Sequence, residues 1–331
     1  MKYISKNFFI EGVKIRNIAK KFQTPIYCYS YRRLKKNIRN FKKNFKSLNP
    51  TICFAVKANA NLKLLQEIKK FNLGADVVSM GELTKALKAG IQSKKIVFSG
   101  VGKTSEELNF AISKKILLIN VESKSEILEI EKIAKRKKKT VNIGIRLNPN
   151  TDAKTLSQIS TGKKENKFGV SEKVFLDLIN YSKKSDFIDL KCLSVHIGSQ
   201  ILNNKPYEKM LKVLEKIIRK SKFNFEYIDL GGGMGIDYEN KKKNLNLQRY
   251  SNQINKFLKK YKTRIVFEPG RTIIGNAGIL IAQIIYIKEG DNKNFIILDA
   301  AMNDLMRPAL YNAKHRIIPL KKTTTKSNKI Y

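Results

Sequence analysis

Short apolar runs alternate with amphipathic stretches along most of this chain, and this rhythm limits the folds open to it. Eight runs rich in β-forming residues occur: Ile52–Val56, Ala75–Val78, Ile96–Phe98, Ile116–Ile119, Val141–Leu147, Leu193–Ile197, Tyr227–Leu230 and Arg264–Phe267. Between them lie helix-like stretches: Leu62–Phe71, Gly81–Leu87, Ser105–Ile112, Lys124–Lys135, Glu172–Ser182, Tyr207–Lys220 and Leu247–Lys260. Strands that alternate with helices imply parallel βαβ units. The pattern predicts an α/β fold built on a (β/α)8 TIM barrel, which typically takes about 250 residues; a doubly wound open sheet stays as the alternative, because periodicity alone does not decide closure.

The rhythm stops after Arg271, and this predicts the domain organisation. Gly278–Ile287 and Asn294–Leu298 are strand-like runs without an intervening helix, which is typical of antiparallel pairing. We therefore expect a lead-in to a β domain at residues 1–29, the barrel at 30–271 and a C-terminal β domain at 272–331. Two or three strands do not form a stable β domain alone. Either residues 1–24 complete this domain or the sequence is cut short.

The charge of the chain invites a nucleic-acid interpretation, which its distribution does not favour. The net charge is +40, from 67 Lys and Arg against 27 Asp and Glu. The basic residues are spread over the whole sequence, and no zinc-finger spacing or RNP-type aromatic motif accompanies them. We expect a solvated basic surface, with no specific nucleic-acid partner.

The cysteines and the hydropathy pattern indicate the compartment. Cys28, Cys53 and Cys192 are odd in number and widely spaced, which favours neither a disulfide framework nor a metal site. Cys53 and Cys192 lie in apolar runs and are expected to be core thiols. With no apolar signal segment and no long uncharged span, we expect a cytoplasmic protein without a membrane partner.

Lys57 ends the first of the apolar runs and is the first candidate for chemistry. A lysine at the mouth of a buried strand is partly desolvated, which disfavours the ammonium and exposes the amine as a nucleophile toward carbonyl groups. In a chain this rich in lysine, the alternative is that Lys57 only marks the end of a strand.

Other chemically active residue types also follow predicted strands, where the active site of a barrel lies. They are Asp76 and Ser79, Arg146, His196-Ile197-Gly198-Ser199-Gln200, Asp229 with Gly231–Gly235, and Glu268-Pro269-Gly270-Arg271. The glycine run suits close approach of backbone N–H groups to an anion such as phosphate, although a simple turn is the alternative. His196 is otherwise a core histidine, and Glu268 otherwise forms an ion pair with Arg271. Together these parts match the needs of pyridoxal phosphate: a lysine, a phosphate cradle, a flat group against the ring and a carboxylate for the pyridine nitrogen.

Several motifs resemble one family. Phe54-Ala55-Val56-Lys57-Ala58-Asn59, Asp76-Val77-Val78-Ser79, residues 97–103, His196–Gln200, the triple glycine and Glu268–Arg271 resemble the alanine-racemase-fold decarboxylases that use pyridoxal phosphate. Ser160-Thr161-Gly162, Lys167-Phe168-Gly169 and Met302–Tyr311 are similar to the diaminopimelate decarboxylase family in particular. The resemblance runs from about Pro25 to Pro319.

The resemblance implies a role for each matching position. Lys57 and His196 would be catalytic, Lys57 by holding the cofactor and His196 by stacking on its ring. The implied cofactor-binding set is Lys57, Asp76, His196, Ser199, Gly232, Gly233, Glu268, Pro269, Gly270 and Arg271. Arg271, Arg307 and Tyr311 match substrate-binding positions, where arginine suits the second carboxylate of diaminopimelate. No metal is implied.

The implied activity is decarboxylation of meso-2,6-diaminopimelate to L-lysine and carbon dioxide by a homodimer with shared active sites. Decarboxylases of ornithine, arginine or carboxynorspermidine are related alternatives, as is a non-catalytic protein that binds pyridoxal phosphate. Family members usually continue further and carry a Cys-Glu-Ser motif that none of the three cysteines here matches. We therefore expect a truncated chain, with an incomplete antiparallel β domain formed by the two chain ends and with exposed strand edges.

Overall fold

The computed structural model describes residues 1–153, 161–162, 166–238 and 245–322. In chain order the strands are β1 (Lys2–Ile4), β2 (Asn7–Ile10), β3 (Val13–Lys14), β4 (Ile26–Tyr29), β5 (Thr51–Ala55), β6 (Gly74–Val77), β7 (Ile96–Phe98), β8 (Leu118–Val121), β9 (Val141–Arg146), β10 (Ile188–Ser194), β11 (Tyr227–Asp229), β12 (Arg264–Phe267), β13 (Gly278–Ile281), β14 (Ile284–Lys288) and β15 (Phe295–Leu298). The helices are α1 (Ile15–Phe22), α2 (Tyr31–Asn44), α3 (Leu62–Lys69), α4 (Met80–Lys88), α5 (Ser105–Ser113), α6 (Lys124–Lys137), α7 (Glu172–Ser182), α8 (Lys205–Ser221), α9 (Leu247–Leu258), α10 (Arg271–Ile274) and α11 (Arg307–Tyr311).

Within these described residues, eight parallel strands close into a barrel. Strands β5 to β12 follow one another around it, and β12 pairs back onto β5 through Val266 with Thr51 and Phe267 with Ile52. The predicted (β/α)8 barrel is confirmed. The open-sheet alternative is wrong, because the first and last strands are hydrogen-bonded to each other.

The interior of the barrel is apolar where the middles of the strands face one another. One cluster joins side chains from six strands: Cys53, Val97, Leu118, Cys192, Tyr227 and Val266. Cys53 and Cys192 are buried free thiols, as expected from the apolar runs around them. Desolvation raises the pKa of both thiols well above its ordinary value, so they are packing groups and not nucleophiles.

Side-chain caps begin most of the helices that follow barrel strands. Each cap accepts a hydrogen bond from a backbone N–H of the first helical turn, which leaves fewer of those groups unsatisfied. The capping residues are Asn61, Ser79, Thr104, Ser123, Ser171 and Asn246. These caps fix the loops at the carboxyl ends of the strands. Ser79 is therefore the N-cap of α4. The sequence had placed it among the candidate site residues.

The chain divides into two compact units. The first comprises Met1–Asn37, Asp237–Lys242 and Asn276–Tyr331, and the second comprises Ile38–Ile236 and Lys243–Gly275. The second unit contains the barrel. The predicted domain limits at residues 29 and 271 stay a prediction.

Antiparallel pairing dominates the first unit, as expected. Strands β1, β2 and β3 form one sheet, β4 pairs with β13, and β14 pairs with β15. The single run predicted at Gly278–Ile287 is wrong in detail, since the structure divides it into two strands with different partners. Phe8, Ile10, Ile15 and Ile281 form the buried core of this unit, so residues near both ends of the sequence contribute to it. Every residue of β14 and β15 is exposed.

Two features are absent from the described residues, a membrane-spanning helix and a metal-binding cluster. No helix there is long and apolar enough to cross a membrane. No group of three or more His, Cys, Asp or Glu side chains in the same part of the chain is arranged to hold a metal ion.

Candidate active site

The strand order brings most of the predicted site residues to one end of the barrel. Ala55, the last residue of β5, is in register with Asp76 on β6. Lys57 follows β5 in a 3-10 turn, His196 follows β10, and Glu268 comes directly after β12. Because the strands are parallel, the residues that follow them meet at the same rim.

Lys57 is paired with a buried carboxylate. Its Nζ donates a hydrogen bond to Asp76 Oδ2 at 2.5 Å. Asp76 is fully buried, whereas half of the Lys57 side chain is exposed. The amine is thus held by a buried carboxylate, while part of the lysine side chain is open to solvent.

The charge state of Lys57 differs from the sequence-based expectation. Burial lowers the pKa of Lys57, and that is the largest single effect. The charge of Asp76 and its hydrogen bond to Lys57 act in the opposite direction, with Glu268 adding to them where it is ionised, and together they raise the pKa above its ordinary value. The expectation that desolvation leaves a free amine is therefore wrong for the protein without a ligand, because the neighbouring acids stabilise the ammonium.

His196 is held as a neutral imidazole of defined tautomer. Burial is the main reason why the pKa of His196 lies well below its ordinary value, and the positive charges of Arg146 and Lys57 lower it further. The Gly232 N–H donates to His196 Nδ1 at 3.2 Å, so the proton of the neutral ring is on Nε2. A neutral, flat ring of this kind suits stacking against a heteroaromatic group.

The glycine loop after β11 permits the strand-end loops to come into close contact. A Cβ atom on Gly232 would lie 2.2 Å from the Glu268 carbonyl oxygen, and one on Gly233 would lie 2.3 Å from the Gly198 carbonyl oxygen. Gly233 also has a φ of +85°, which disfavours other residues. Glycine is required here so that the loops after β10, β11 and β12 meet.

The loop after β12 adds to the same rim hydrogen-bond donors of the kind that bind phosphate. Arg271 Nη2 donates to Ser199 Oγ at 3.2 Å, which joins the β10 and β12 loops. The Pro269 carbonyl accepts from the Ala55 N–H at 3.2 Å. A Cβ atom on Gly270 would lie 3.0 Å from that of Ala58, so this loop also lies against the turn that carries Lys57.

Glu268 is a buried carboxyl group at the centre of the rim. It is 7% exposed, and Ser99 Oγ donates to its Oε1 at 3.3 Å. Burial first, and then the negative charges of Asp229 and Asp76, raise the pKa of Glu268 well above its ordinary value. The protonated form of this carboxyl group is therefore favoured more than in a free glutamate.

Glu122 organises this rim and was missed from the sequence. Its Oε1 accepts from Arg146 Nη1 at 2.9 Å and from the Gly100 N–H at 3.1 Å, and its Oε2 accepts from the Gly169 N–H at 2.8 Å. The Arg146 guanidinium also lies 5.0 Å from the centre of the Phe168 ring. The one feature of the sequence that could have identified Glu122 is its place directly after the apolar run that forms β8.

We expect Glu122→Gln to destabilise the protein by about 3 kcal/mol, the lower end of the cost of breaking a buried ion pair. Both side chains of the Glu122–Arg146 pair are almost fully buried, so the arginine would keep its charge without a counter-charge. Urea denaturation measures this loss. Glu67→Gln is the matched control, because Glu67 pairs with Lys70 at the surface and its removal should cost less than about 1 kcal/mol. Equal losses in the two variants would contradict the assignment.

Two predicted substrate residues belong to the first unit. The Arg307 guanidinium carbon lies 4.9 Å from the centre of the Tyr238 ring, and its Nη1 is 3.4 Å from His315 Nε2. Tyr311 is the last residue of α11. Their role in substrate binding stays a prediction. Ser160, the first residue of one resembling motif, lies outside the described residues.

The residues at the rim fit pyridoxal phosphate. Asp76 Oδ1 is buried and receives no hydrogen bond from the described residues, so this polar atom is available to a ligand donor. Ser199, Arg271 and two glycine-containing loops supply the hydroxyl, guanidinium and backbone groups that commonly bind phosphate. Lys57, His196 and Glu268 supply an amine, a flat neutral ring and a carboxyl group.

Comparison with known sequences also supports pyridoxal phosphate as the group that this site binds. Residues 31–275 match the pyridoxal-binding domain of the pyridoxal-dependent decarboxylases. The diaminopimelate decarboxylase of Aquifex aeolicus is 42% identical over 324 residues, which is 97% of this chain and 76% of that protein. That of Helicobacter pylori strain J99 is 44% identical over 300 residues, covering 89% of this chain and 74% of the relative.

Solved structures of diaminopimelate decarboxylases have the same fold as this chain. The Helicobacter pylori diaminopimelate decarboxylase complexed with L-lysine superposes with a TM-score of 0.88 at 42% identity, over 92% of this chain and 77% of the other. The M. jannaschii diaminopimelate decarboxylase in co-complex with L-lysine gives a TM-score of 0.92 at 34% identity, over 98% and 78%. A Selenomonas ruminantium lysine decarboxylase, at 22% identity and a TM-score of 0.79, shares the fold.

Proposed function

We propose, from the premise that this chain belongs to the diaminopimelate decarboxylase family of the pyridoxal-dependent decarboxylases, that it converts meso-2,6-diaminopimelate to L-lysine and carbon dioxide. In this role it would be a carboxy-lyase that completes lysine synthesis. The observation that carries the proposal is the contact between Lys57 Nζ and the buried Asp76 carboxylate, 2.5 Å apart, on the same barrel rim as Glu268.

Pyridoxal phosphate, when bound, supplies an electron sink for the electron pair left on carbon as carbon dioxide departs. We propose that Lys57 holds it and that Asp76 orients the Lys57 amine. The neutral His196 ring would lie against its face, and the Glu268 carboxyl group would pair with its pyridine nitrogen. A carboxylate at that nitrogen favours its protonated form and so strengthens the sink.

The phosphate would be held by backbone and side-chain donors of the converging loops. The proposed donors are Ser199, Gly233, Gly270 and Arg271; Pro269 and Gly232 belong to the same loops and shape the site, since Pro269 has no N–H and the Gly232 N–H donates to His196. The contact between Arg271 and Ser199 supports this set, because it orients two such donors. Glycine at 232 and 233 keeps these loops close enough to act together.

The substrate offers two carboxylates, and we propose that Arg271, Arg307 and Tyr311 recognise it. Arginine binds both oxygens of a carboxylate at once, which suits a distal group that ornithine lacks. Carbon dioxide release from meso-diaminopimelate, compared with release from ornithine, tests the assignment directly. Release from ornithine with none from diaminopimelate would exclude it.

We expect Arg307→Ala to lower kcat/KM for diaminopimelate by about 10- to 100-fold, the cost of losing a hydrogen bond to a charged group. The absorbance of bound cofactor should stay unchanged, because Arg307 is proposed to contact only the substrate. Arg316→Ala is the matched control at an exposed position nearby in the sequence. Equal kinetics in the two variants would remove Arg307 from the site.

We also propose that the protein works as a cytoplasmic homodimer with shared active sites. The proposal is supported by the family resemblance and by the exposed apolar side chains of β14 and β15, which include Tyr286 at 70% exposure and Ile287 at 56%. Light scattering of the purified protein measures the mass in solution. The mass of a single chain at working concentrations would exclude the dimer.

A further inference from the structure

Asp229 and Glu268 form a buried pair of carboxyl groups inside the barrel. Asp229, the last residue of β11, is fully buried, and Glu268 is nearly so. The two carboxyl groups belong to one hydrogen-bond network: Asn120 Nδ2 donates to Asp229 Oδ2 at 2.9 Å and to Ser99 Oγ at 3.1 Å, and Ser99 Oγ donates to Glu268 Oε1 at 3.3 Å. Two carboxylates that share one buried site repel each other, so one of them holds its proton more strongly.

The hydrogen bonds around the pair show which group is ionised. Asp229 accepts three: from Asn120 Nδ2 at 2.9 Å, from Ser194 Oγ at 3.2 Å and from the Gly231 N–H at 2.9 Å. Glu268 accepts one from a side chain, that of Ser99 at 3.3 Å. Donors stabilise the ionised form, so the negative charge belongs on Asp229 and the proton on Glu268.

Asn120 and Ser99 close this arrangement into a ring. Asn120 Nδ2 donates to Ser99 Oγ at 3.1 Å as well as to Asp229, and Ser99 donates onward to Glu268. The ring joins β8, β11 and the residues after β7 and β12. Asp229 thus fixes the orientation of the Glu268 carboxyl group through two other side chains, Asn120 and Ser99.

Other ionisable groups face the pair from the surrounding elements. Asp76 on β6 adds a second negative charge, and Lys57 after β5 adds a positive one. The thiols of Cys53 on β5 and Cys192 on β10, and the Tyr250 hydroxyl on α9, also lie in the field of Asp229. Each of these three has its pKa raised and stays neutral, so they do not compete for the proton.

We infer that Asp229 is a positioning residue that keeps one proton on Glu268 until a cationic ring lies against that carboxyl group. The inference rests on the proposed function, since it assigns the ring to the pyridine of pyridoxal phosphate. When a protonated pyridine binds, the Glu268 O–H bond breaks, its electron pair stays on the carboxylate, and the proton leaves to solvent. The ring keeps its own N–H, so one proton is released for each cation bound.

Proton release makes ligand affinity depend on pH in a defined direction. Below the raised pKa of Glu268 the carboxyl group is neutral, and binding a cationic ring requires loss of its proton; above that pKa no proton is lost. Affinity therefore rises with pH through the pKa of Glu268. Removing the charge of Asp229 lowers the pKa of Glu268 toward its ordinary value, and the rise then occurs at lower pH.

The test uses pyridoxamine 5′-phosphate, which carries the ring and the phosphate but has no aldehyde to react with Lys57. Its affinity for the wild-type chain and for Asp229→Asn is measured by fluorescence across the pH range of stable protein. We expect the rise in affinity to move down by about one pH unit or more in Asp229→Asn, as for loss of a like charge in contact. Identical profiles would overturn the inference.

Two controls separate this effect from loss of structure. Asp189→Asn removes a partly exposed aspartate of β10 and should keep the wild-type profile. Glu268→Gln should remove the part of the rise that belongs to this carboxyl group, because its amide has no proton to release; the part that comes from ionisation of the ligand phosphate, with a pKa of about 6, should stay the same in every variant. A residual rise of the same size and position in Glu268→Gln would also overturn the inference.

A spectroscopic measurement keeps the inference testable if Asp229→Asn does not fold. The infrared spectrum of the ligand-free protein near neutral pH should contain the C=O band of a buried protonated carboxyl group, which Glu268→Gln lacks. Absence of that band from the wild-type protein would overturn the inference. A protein that shows the band but binds no pyridoxamine 5′-phosphate would support the shared proton and count against the proposed function.

Discussion

Replacing Lys57 with alanine should lower the rate of carbon dioxide release by on the order of 10³-fold or more, because a positioned proton-transfer group alone contributes up to about 10⁴-fold. Lys57 is also the amine that would hold the cofactor, so the variant loses a covalent attachment as well as a proton carrier. Asp76 would be left as a buried carboxylate without its hydrogen-bonded partner. Lys103, after β7, does not replace it, because its buried amine is bonded to the Gly100 and Asn120 carbonyls and to Glu126.

The measurement combines an activity assay with a visible absorption spectrum in added pyridoxal phosphate. Wild-type protein should show an absorption band that Lys57→Ala lacks. Lys63→Ala is the matched control, since Lys63 is an exposed lysine of α3 that is close in sequence. Normal turnover in Lys57→Ala would refute the assignment, as would an unchanged absorption band.

Replacing Gly233 with alanine should both destabilise the protein and abolish tight binding of the cofactor. The new Cβ atom would lie 2.3 Å from the Gly198 carbonyl oxygen and 3.2 Å from the Tyr207 hydroxyl, so backbone must move. The φ of +85° adds strain of about 1–2 kcal/mol, and the steric overlap adds about 1–3 kcal/mol. Movement of the Gly198 loop would also displace Ser199, one of the proposed phosphate ligands.

Gly12→Ala separates the two contributions. Gly12 has a φ of +87°, close to that of Gly233, but a Cβ atom there would have no neighbour within 4 Å. This variant should therefore lose only the backbone term, about 1–2 kcal/mol in urea denaturation. Cofactor affinity, measured by titration, should fall only in Gly233→Ala. Equal destabilisation together with full affinity in both variants would show that the close approach at Gly233 is unimportant.

The sequence predicted which residue types form the site, but it did not predict the charge state of Lys57. Lys57 was identified from its place after an apolar run, and that reasoning used only local sequence. Whether its amine is neutral depends on Asp76 and Glu268, which lie 19 and 211 positions away in the sequence. Burial alone predicts a lowered pKa for Lys57, whereas the structure places two acids close enough to reverse the direction.

The sequence by itself determined the alternation of strands and helices, because the apolar spacing is a local property of each segment. It also determined the residue types at the strand ends, from which a lysine, a glycine loop and a carboxyl group pointed to one cofactor. The ends of most elements were close to those predicted, since caps such as Thr104 and Ser171 act within four residues.

Only the tertiary structure decided that the barrel closes, which strands pair with one another and which carboxyl group keeps a proton. Closure depends on hydrogen bonds between β12 and β5, which are more than 200 residues apart, and no local pattern encodes that contact. The division of residues 278–288 into two strands followed from their different partners, β4 and β15. Glu122 looked like an ordinary acid after an apolar run, and Asp229 was one of several candidates at the strand ends, with no partner assigned to it. Only the folded barrel places Glu122 against Arg146 and Asp229 against Glu268, because charge interactions depend on distance in space and on burial.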